Sequence, residues 1–280
     1  MLKQITTFIL TAITVQTCVF ATEPFSEDKK MTRSDICKEN YEKLFNSPWN
    51  PDVGNDPEML AILQKYIFGE VFTVGELDMK TREMITVTTL ATMQTLPQLK
   101  AHLNAALNVG ATPLELREVI YQCAPFIGFP KTLNALGVLN EVFKERNIQT
   151  PLEKAATVRE ENRYEKGSEI QKPLYGDEIA NAMAGLPDDM GKDVSRFLTE
   201  FCFGDIYTRD GLDIKTRELL VVSLLVTTGN SSVLKSHIKG AIKAGNDPET
   251  LTAAIVQCLP YVGFPNALEA LKILKEELAN

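Results

Sequence analysis

The chain is 280 residues long, 44% hydrophobic and 24% charged, with a formal net charge of −8. That length accommodates one large or two modest domains, and the composition is globular, which excludes a disordered chain. The acidic balance, with no basic stripe, argues against a nucleic-acid partner.

Residues 1–21 read as a signal peptide. "MLKQ" supplies a positive start, and "ITTFILTAITVQTCVFA" is a mainly apolar run, too short and too Thr-rich for a membrane span. Val19 and Ala21 fit the ends of a small-x-small cleavage site. The expectation is an exported protein, periplasmic or secreted, with no stable membrane insertion after cleavage. Cleavage removes Cys18 and leaves Cys37, Cys123, Cys202 and Cys258, which can pair in three ways in an oxidising compartment. No CxxC occurs, so a zinc-ribbon site has no ligands and no metal is expected.

The rest of the chain is a duplication. Slid along itself so that Asp78 falls on Asp213, the sequence registers without a gap: "ELDMKTREMITV" on "GLDIKTRELLVV", "HLNAALNVGATP" on "HIKGAIKAGNDP", "QCAPFIGFPKTLNAL" on "QCLPYVGFPNALEAL". The repeats run over 35–148 and 172–280. The polar, Pro-flanked segment 149–171 reads as a linker.

Each repeat reads as helices. Asp78 caps a helix whose Met79, Glu83, Val87 and Leu90 share a stripe. Leu99, His102, Leu103 and Ala106 share a face of the next, which Gly110 stops. "TPLE" at 112–115 is a capping box with Pro113 in the first turn, replaced in the second repeat by Asp247 and Pro248. That third helix, with Leu116, Val119, Ile120 and Cys123, is expected to stop at Pro125. Pro130 opens a last helix through Leu136 and Leu139. No alternating strand of any length is found. The fold class is all-α, as two similar bundles in tandem.

The chain has two histidines, His102 and His237, in the same register of the two repeats. A glutamate precedes each by one helix: Glu83 and Glu218. Antiparallel helices can bring each glutamate beside its histidine, and a buried carboxylate–imidazole pair can move a proton. These four are the candidate catalytic residues. Arg82 and Arg217 are either helix-pairing arginines or a grip on a substrate carboxylate. Glu118, present only in the first repeat, is a candidate substrate-binding residue, whereas Glu115 is explained by capping. Cys123 and Cys258 read as core residues, with redox work as the lesser reading, because no neighbour in sequence depresses their pKa.

The motifs Leu-Asp-x-Lys-Thr-Arg, the histidine, the Gly-x-x-Pro helix start and the Gly-Phe-Pro turn, over most of both repeats, resemble the carboxymuconolactone decarboxylase family. The resemblance implies a compact helical unit related to the alkylhydroperoxidase D-like proteins, and assembly into homo-oligomeric rings, here a trimer of tandem units. It implies decarboxylation of a small carboxylated lactone without metal or organic cofactor. In such a lactone the departing carboxyl is vinylogous to the carbonyl, so the site must stabilise the charge and protonate carbon. The alkylhydroperoxidase D-like branch adds a Cys-x-x-Cys four residues before the histidine. Here Thr95 and Gln98, and Asn230 and Val233, stand at those places, so its peroxide cycle has no dithiol. A thiol antioxidant using Cys123 and Cys258, and a non-catalytic binding protein, are the alternatives.

Overall fold

Residues 31–279 are described by a computed structural model; the predicted signal peptide lies outside the described residues. Among the described residues the chain is helical and strand-free. The first repeat contains α1 (Arg33–Phe45), α2 (Pro57–Gly69), α3 (Met79–Met93), α4 (Leu96–Asn108), α5 (Pro113–Ile127) and α6 (Phe129–Glu145). The second contains α7 (Arg163–Tyr175), the short α8 (Glu178–Met183), α9 (Met190–Phe197), α10 (Ile214–Thr228), α11 (Ser231–Lys243), α12 (Pro248–Val262) and α13 (Phe264–Leu278). No described helix is long and apolar enough to cross a membrane.

The predicted caps start the helices. The Asp78 carboxylate accepts from Thr81 N–H, Asp213 from Thr216 N–H, and Asp247 from Thr250 N–H, each at 2.7 Å. Thr112 and Glu115 form the reciprocal box. Gly110 and Gly245 follow their helices at φ 95° and 97°, a region that side-chain-bearing residues rarely adopt.

Two expectations need correction. α5 does not stop at Pro125; it runs to Ile127, and α12 likewise passes Pro260. A proline this close to the C-terminus removes one ladder bond only, and the Gly128 N–H still reaches Ala124 O at 3.0 Å. The segment 149–171 is also not all linker, because α7 begins at Arg163 and belongs to the second repeat. A Cβ on Gly69 of α2 would lie 2.2 Å from Arg33 O, and one on Gly204 would lie 2.4 Å from Arg163 O. α7 is therefore the counterpart of α1, with Tyr175 and Phe45 as their last residues. Its register differs from that of the later helices, which hid it from the ungapped comparison.

α3 and α10 pack on each other at the centre, and each is also covered by the other repeat's helix, α3 by α12 and α10 by α5. Hence Arg82–Thr92 and Leu219–Val226 are buried all round, and α3 is not a one-striped helix. Thr86, Thr88 and Thr92 donate to the carbonyls four residues back, which lets their hydroxyls enter the core. One continuous apolar cluster, including Leu99, Leu103, Leu220 and Leu224, runs through both repeats.

Candidate active site

α3 and α4 place Glu83 and His102 together, as the sequence predicts. His102 Nδ1 and Glu83 Oε2 are 2.7 Å apart, and both side chains are buried. A carboxylate can only accept, so Nδ1 donates and Nε2 is the free ring nitrogen. The His102 ring is met edge-on by Phe45 from α1 and Tyr261 from α12 of the other repeat. Glu83 Oε1 is buried with no hydrogen-bond partner, and the Tyr261 hydroxyl is buried near it. Burial, with the nearby Glu83 charge, pushes the Tyr261 phenol well above its ordinary range.

α10 and α11 place Glu218 and His237 in the same way, but the surroundings differ. Glu218 Oε2 is 3.4 Å from His237 Nδ1, and the Tyr175 hydroxyl lies between, 2.5 Å from Oε2 and 2.7 Å from Nδ1. The Tyr207 hydroxyl donates to Glu218 Oε1 at 2.8 Å. Tyr207 ends a π-helix, Leu198–Tyr207, that continues α9. Phe72 holds its register position in the first repeat, within a short 3₁₀ turn, Val71–Thr73. Burial first, and the Glu218 charge second, push both phenols well up, so they stay protonated and donating.

His237 forms part of the wall of a cleft of about 350 Å³, a size suited to a small molecule. Phe126, Tyr175, Phe203 and Val233 line it alongside Ser232, Ser236 and the Glu178 carboxylate, and no Lys or Arg does. A larger depression of about 580 Å³ lies between α7, α8 and α9 but carries no histidine. Of the two, only the smaller cleft has a histidine in its wall.

The arginines do not face this site. Arg82 donates to Leu77 O, Val74 O, Gly75 O and Gln257 Oε1. Arg217 donates to Arg209 O and Gln122 Oε1. Each guanidinium ties the loop before its helix to the other repeat, and burial lowers the pKa of both. The grip on a substrate carboxylate is thus replaced by a helix-pairing role. Glu118 is corrected similarly: it is fully buried and accepts from Arg117 Nε and from Arg209 Nε and Nη2, with Arg217 Nη2 at 3.7 Å. It is an ionic hub between the repeats. It has no carboxylate partner in the second, where Ala253 stands.

Cys37, Cys123, Cys202 and Cys258 are buried free thiols. Burial pushes Cys123 up to about 12, and Cys258 to about 11 despite hydrogen bonds with Thr89 and Ser223 that pull it down. Such thiols are poor nucleophiles at neutral pH. The tyrosines were missed by sequence reasoning. The pairing of Tyr207 with Phe72 is visible in the ungapped register; that of Tyr175 with Phe45 is not, because the same register sets Tyr175 against Asn40.

An all-α chain of two interlocked repeats, each setting a buried glutamate near a histidine, defines the class. The model of the carboxymuconolactone decarboxylase family matches residues 57–141 and 192–276, and the chain belongs to that family. It is 26% identical over 119 residues to the 4-carboxymuconolactone decarboxylase of Acinetobacter baylyi, covering 42% of this chain and 89% of that protein. It is 24% identical over 115 residues to the nitrosuccinic acid decarboxylase of Metarhizium robertsii, covering 41% of this chain and 80% of that one. A crystal structure of a candidate gamma-carboxymuconolactone decarboxylase subunit from Burkholderia xenovorans shares the fold. Its TM-score is 0.53 at 24% identity, over 89% of this chain and 98% of that one.

Proposed function

We propose that this chain decarboxylates a small carboxylated lactone or keto acid without a cofactor, using the Glu218–His237 and Glu83–His102 pairs to move the proton. The observation that carries this reading is the buried carboxylate–imidazole pair, with the second histidine on the wall of a ligand-sized cleft. The names of two relatives supply the reaction class.

In the reaction the bond to the carboxylate carbon breaks and CO2 leaves. The electron pair spreads towards the substrate carbonyl oxygen, and the resulting carbanion takes a proton from Nε2–H of the imidazolium. The group behind Nδ1, Glu83 in the first repeat and Tyr175 on Glu218 in the second, fixes the ring. The absence of Lys and Arg from the cleft wall suits this step. A cation on the departing carboxylate would stabilise the ground state that must be lost. Solvent then restores the proton to the ring. The test is turnover of 4-carboxymuconolactone in D2O. CO2 release with one deuterium placed on the product carbon is expected; CO2 release with no solvent hydrogen on carbon would overturn the histidine's role.

The surface supports a homo-oligomer. Met59 and Ile62 on α2 and Phe129 and Leu133 on α6 are exposed, and their register mates Val194, Phe197, Phe264 and Leu268 are exposed too. Matching apolar faces at both repeats suit closure by further copies of the same chain, a trimer of tandem units. The reading of residues 1–21 as a signal peptide makes it an exported protein, tested by N-terminal sequencing of the mature form.

A further inference from the structure

We propose that Tyr175 is the positioning residue that couples Glu218 to His237, giving the second repeat a His–Tyr–Glu relay that the first repeat lacks. The proposal rests on the reading of His237 as the proton-transferring group. It concerns a residue outside both stretches matched by the family model.

Donor chemistry and distance together assign the arrangement. Three donors meet here, the Tyr175 and Tyr207 hydroxyls and His237 Nδ1–H. The acceptors are the two Glu218 oxygens and the Tyr175 oxygen. Tyr207 donates to Oε1 and Tyr175 to Oε2, and Nδ1 lies 2.7 Å from the phenol oxygen against 3.4 Å from Oε2, so Nδ1–H donates to the phenol oxygen. The direct histidine–carboxylate distance, 3.4 Å, is long for a charge-assisted hydrogen bond, which prefers about 2.7–2.9 Å. The phenol has taken the carboxylate's place against the ring and passes its influence on. Nε2 remains without a partner, on a ring that lies against the cleft.

Two further observations support a built arrangement. A Cβ on Gly240 of α11 would lie 2.3 Å from the Tyr175 oxygen, so the tyrosine fits only because that residue is glycine. In the first repeat the register mate of Gly240 is Ala105, and Phe45 stands in place of Tyr175. Tyr with Gly in one repeat, and Phe with Ala in the other, are matched pairs. With Phe45 in place, His102 closes directly on Glu83 at 2.7 Å. The first repeat is thus an internal control for removing the hydroxyl.

The experiment uses the fact that the chain has only two histidines. Imidazole ¹H–¹⁵N spectra of the full protein are recorded for wild type, Tyr175→Phe and Gly240→Ala, with His102→Gln used to assign the two Nδ1–H signals. A phenol oxygen is a weaker acceptor than a carboxylate, so the His237 signal is expected upfield of the His102 signal. Tyr175→Phe should move it towards the His102 position and leave His102 unmoved. Gly240→Ala, which displaces the phenol without removing its hydroxyl, should also move it. A His237 signal that stays in place in both variants overturns the relay.

The kinetic arm uses 4-carboxymuconolactone. Tyr175→Phe should lower kcat by about tenfold or more with KM within about twofold, and should add little to the loss caused by Glu218→Gln. A loss confined to KM, or losses that multiply, would make Tyr175 a substrate contact and overturn the positioning role. Absence of CO2 release by the wild type would instead remove the proposed reaction, and the spectra alone would then decide the relay.

Discussion

The Tyr207 hydroxyl donates to Glu218 Oε1 at 2.8 Å, deep in the second repeat. The residue in its register in the first repeat is Phe72, and Glu83 Oε1 has no partner. The two copies of one unit have therefore parted at the carboxylate that backs the histidine. Tyr207→Phe should leave Glu218 Oε1 buried and unpartnered, costing about 1–3 kcal/mol of stability. Denaturant unfolding checks this; a variant as stable as wild type would show that the hydroxyl is replaceable.

Glu118 offers a sharper stability test. It is fully buried among Arg117, Arg209 and Arg217. Removing one partner of a buried ionic cluster costs about 3–5 kcal/mol, because the remaining charges stay uncompensated. Glu118→Ala should lower the melting temperature markedly, while CO2 release per folded molecule persists. Selective loss of activity at unchanged stability would return Glu118 to the substrate-binding role.

The cysteines predict an alkaline limit. Burial raises Cys123 from an ordinary 9.0 to about 12, and Cys258 to about 11. The native state therefore holds protons that the unfolded chain releases above pH 9. Their contribution is fully present below pH 9 and is lost as pH rises through about 11–12. Unfolding free energy should fall over that window, and Cys123→Ser should flatten the fall. The same burial predicts that a thiol reagent at pH 7 labels Cys123 only after unfolding. Labelling of the folded protein would revive the redox reading.

The apolar faces predict assembly. Sedimentation should give a trimer of tandem chains, and Phe129→Asp with Phe264→Asp should dissociate it while helix content is kept. A wild-type monomer would leave both faces without an occupant.

Much of this was legible in the sequence because the physics was local. Asp78, Thr112 and Asp247 announce helix starts by side-chain caps. The histidine and glutamate of each repeat are set by one α-hairpin, whose geometry follows from helix lengths. What was hidden depended on contacts between elements far apart in sequence. The sequence leaves the arginines as either helix-pairing residues or a substrate grip, and only the structure shows their donors spent on loop carbonyls and on Gln122 and Gln257 of the opposite repeat. Tyr175 was concealed by a register change between α1 and α7 relative to the later helices, and by the polar composition of the segment before it. Nothing in a single helix reveals that a hydroxyl from a seventh helix reaches between two residues of the tenth and eleventh.

If the paired histidines carry the chemistry, CO2 release from 4-carboxymuconolactone depends on both of them. Wild type should release CO2, the His102→Gln, His237→Gln double variant should release none while keeping its helical fold, and His237→Gln should be the more damaging single change. A folded double variant that still releases CO2 at the wild-type rate would show that neither histidine moves the proton.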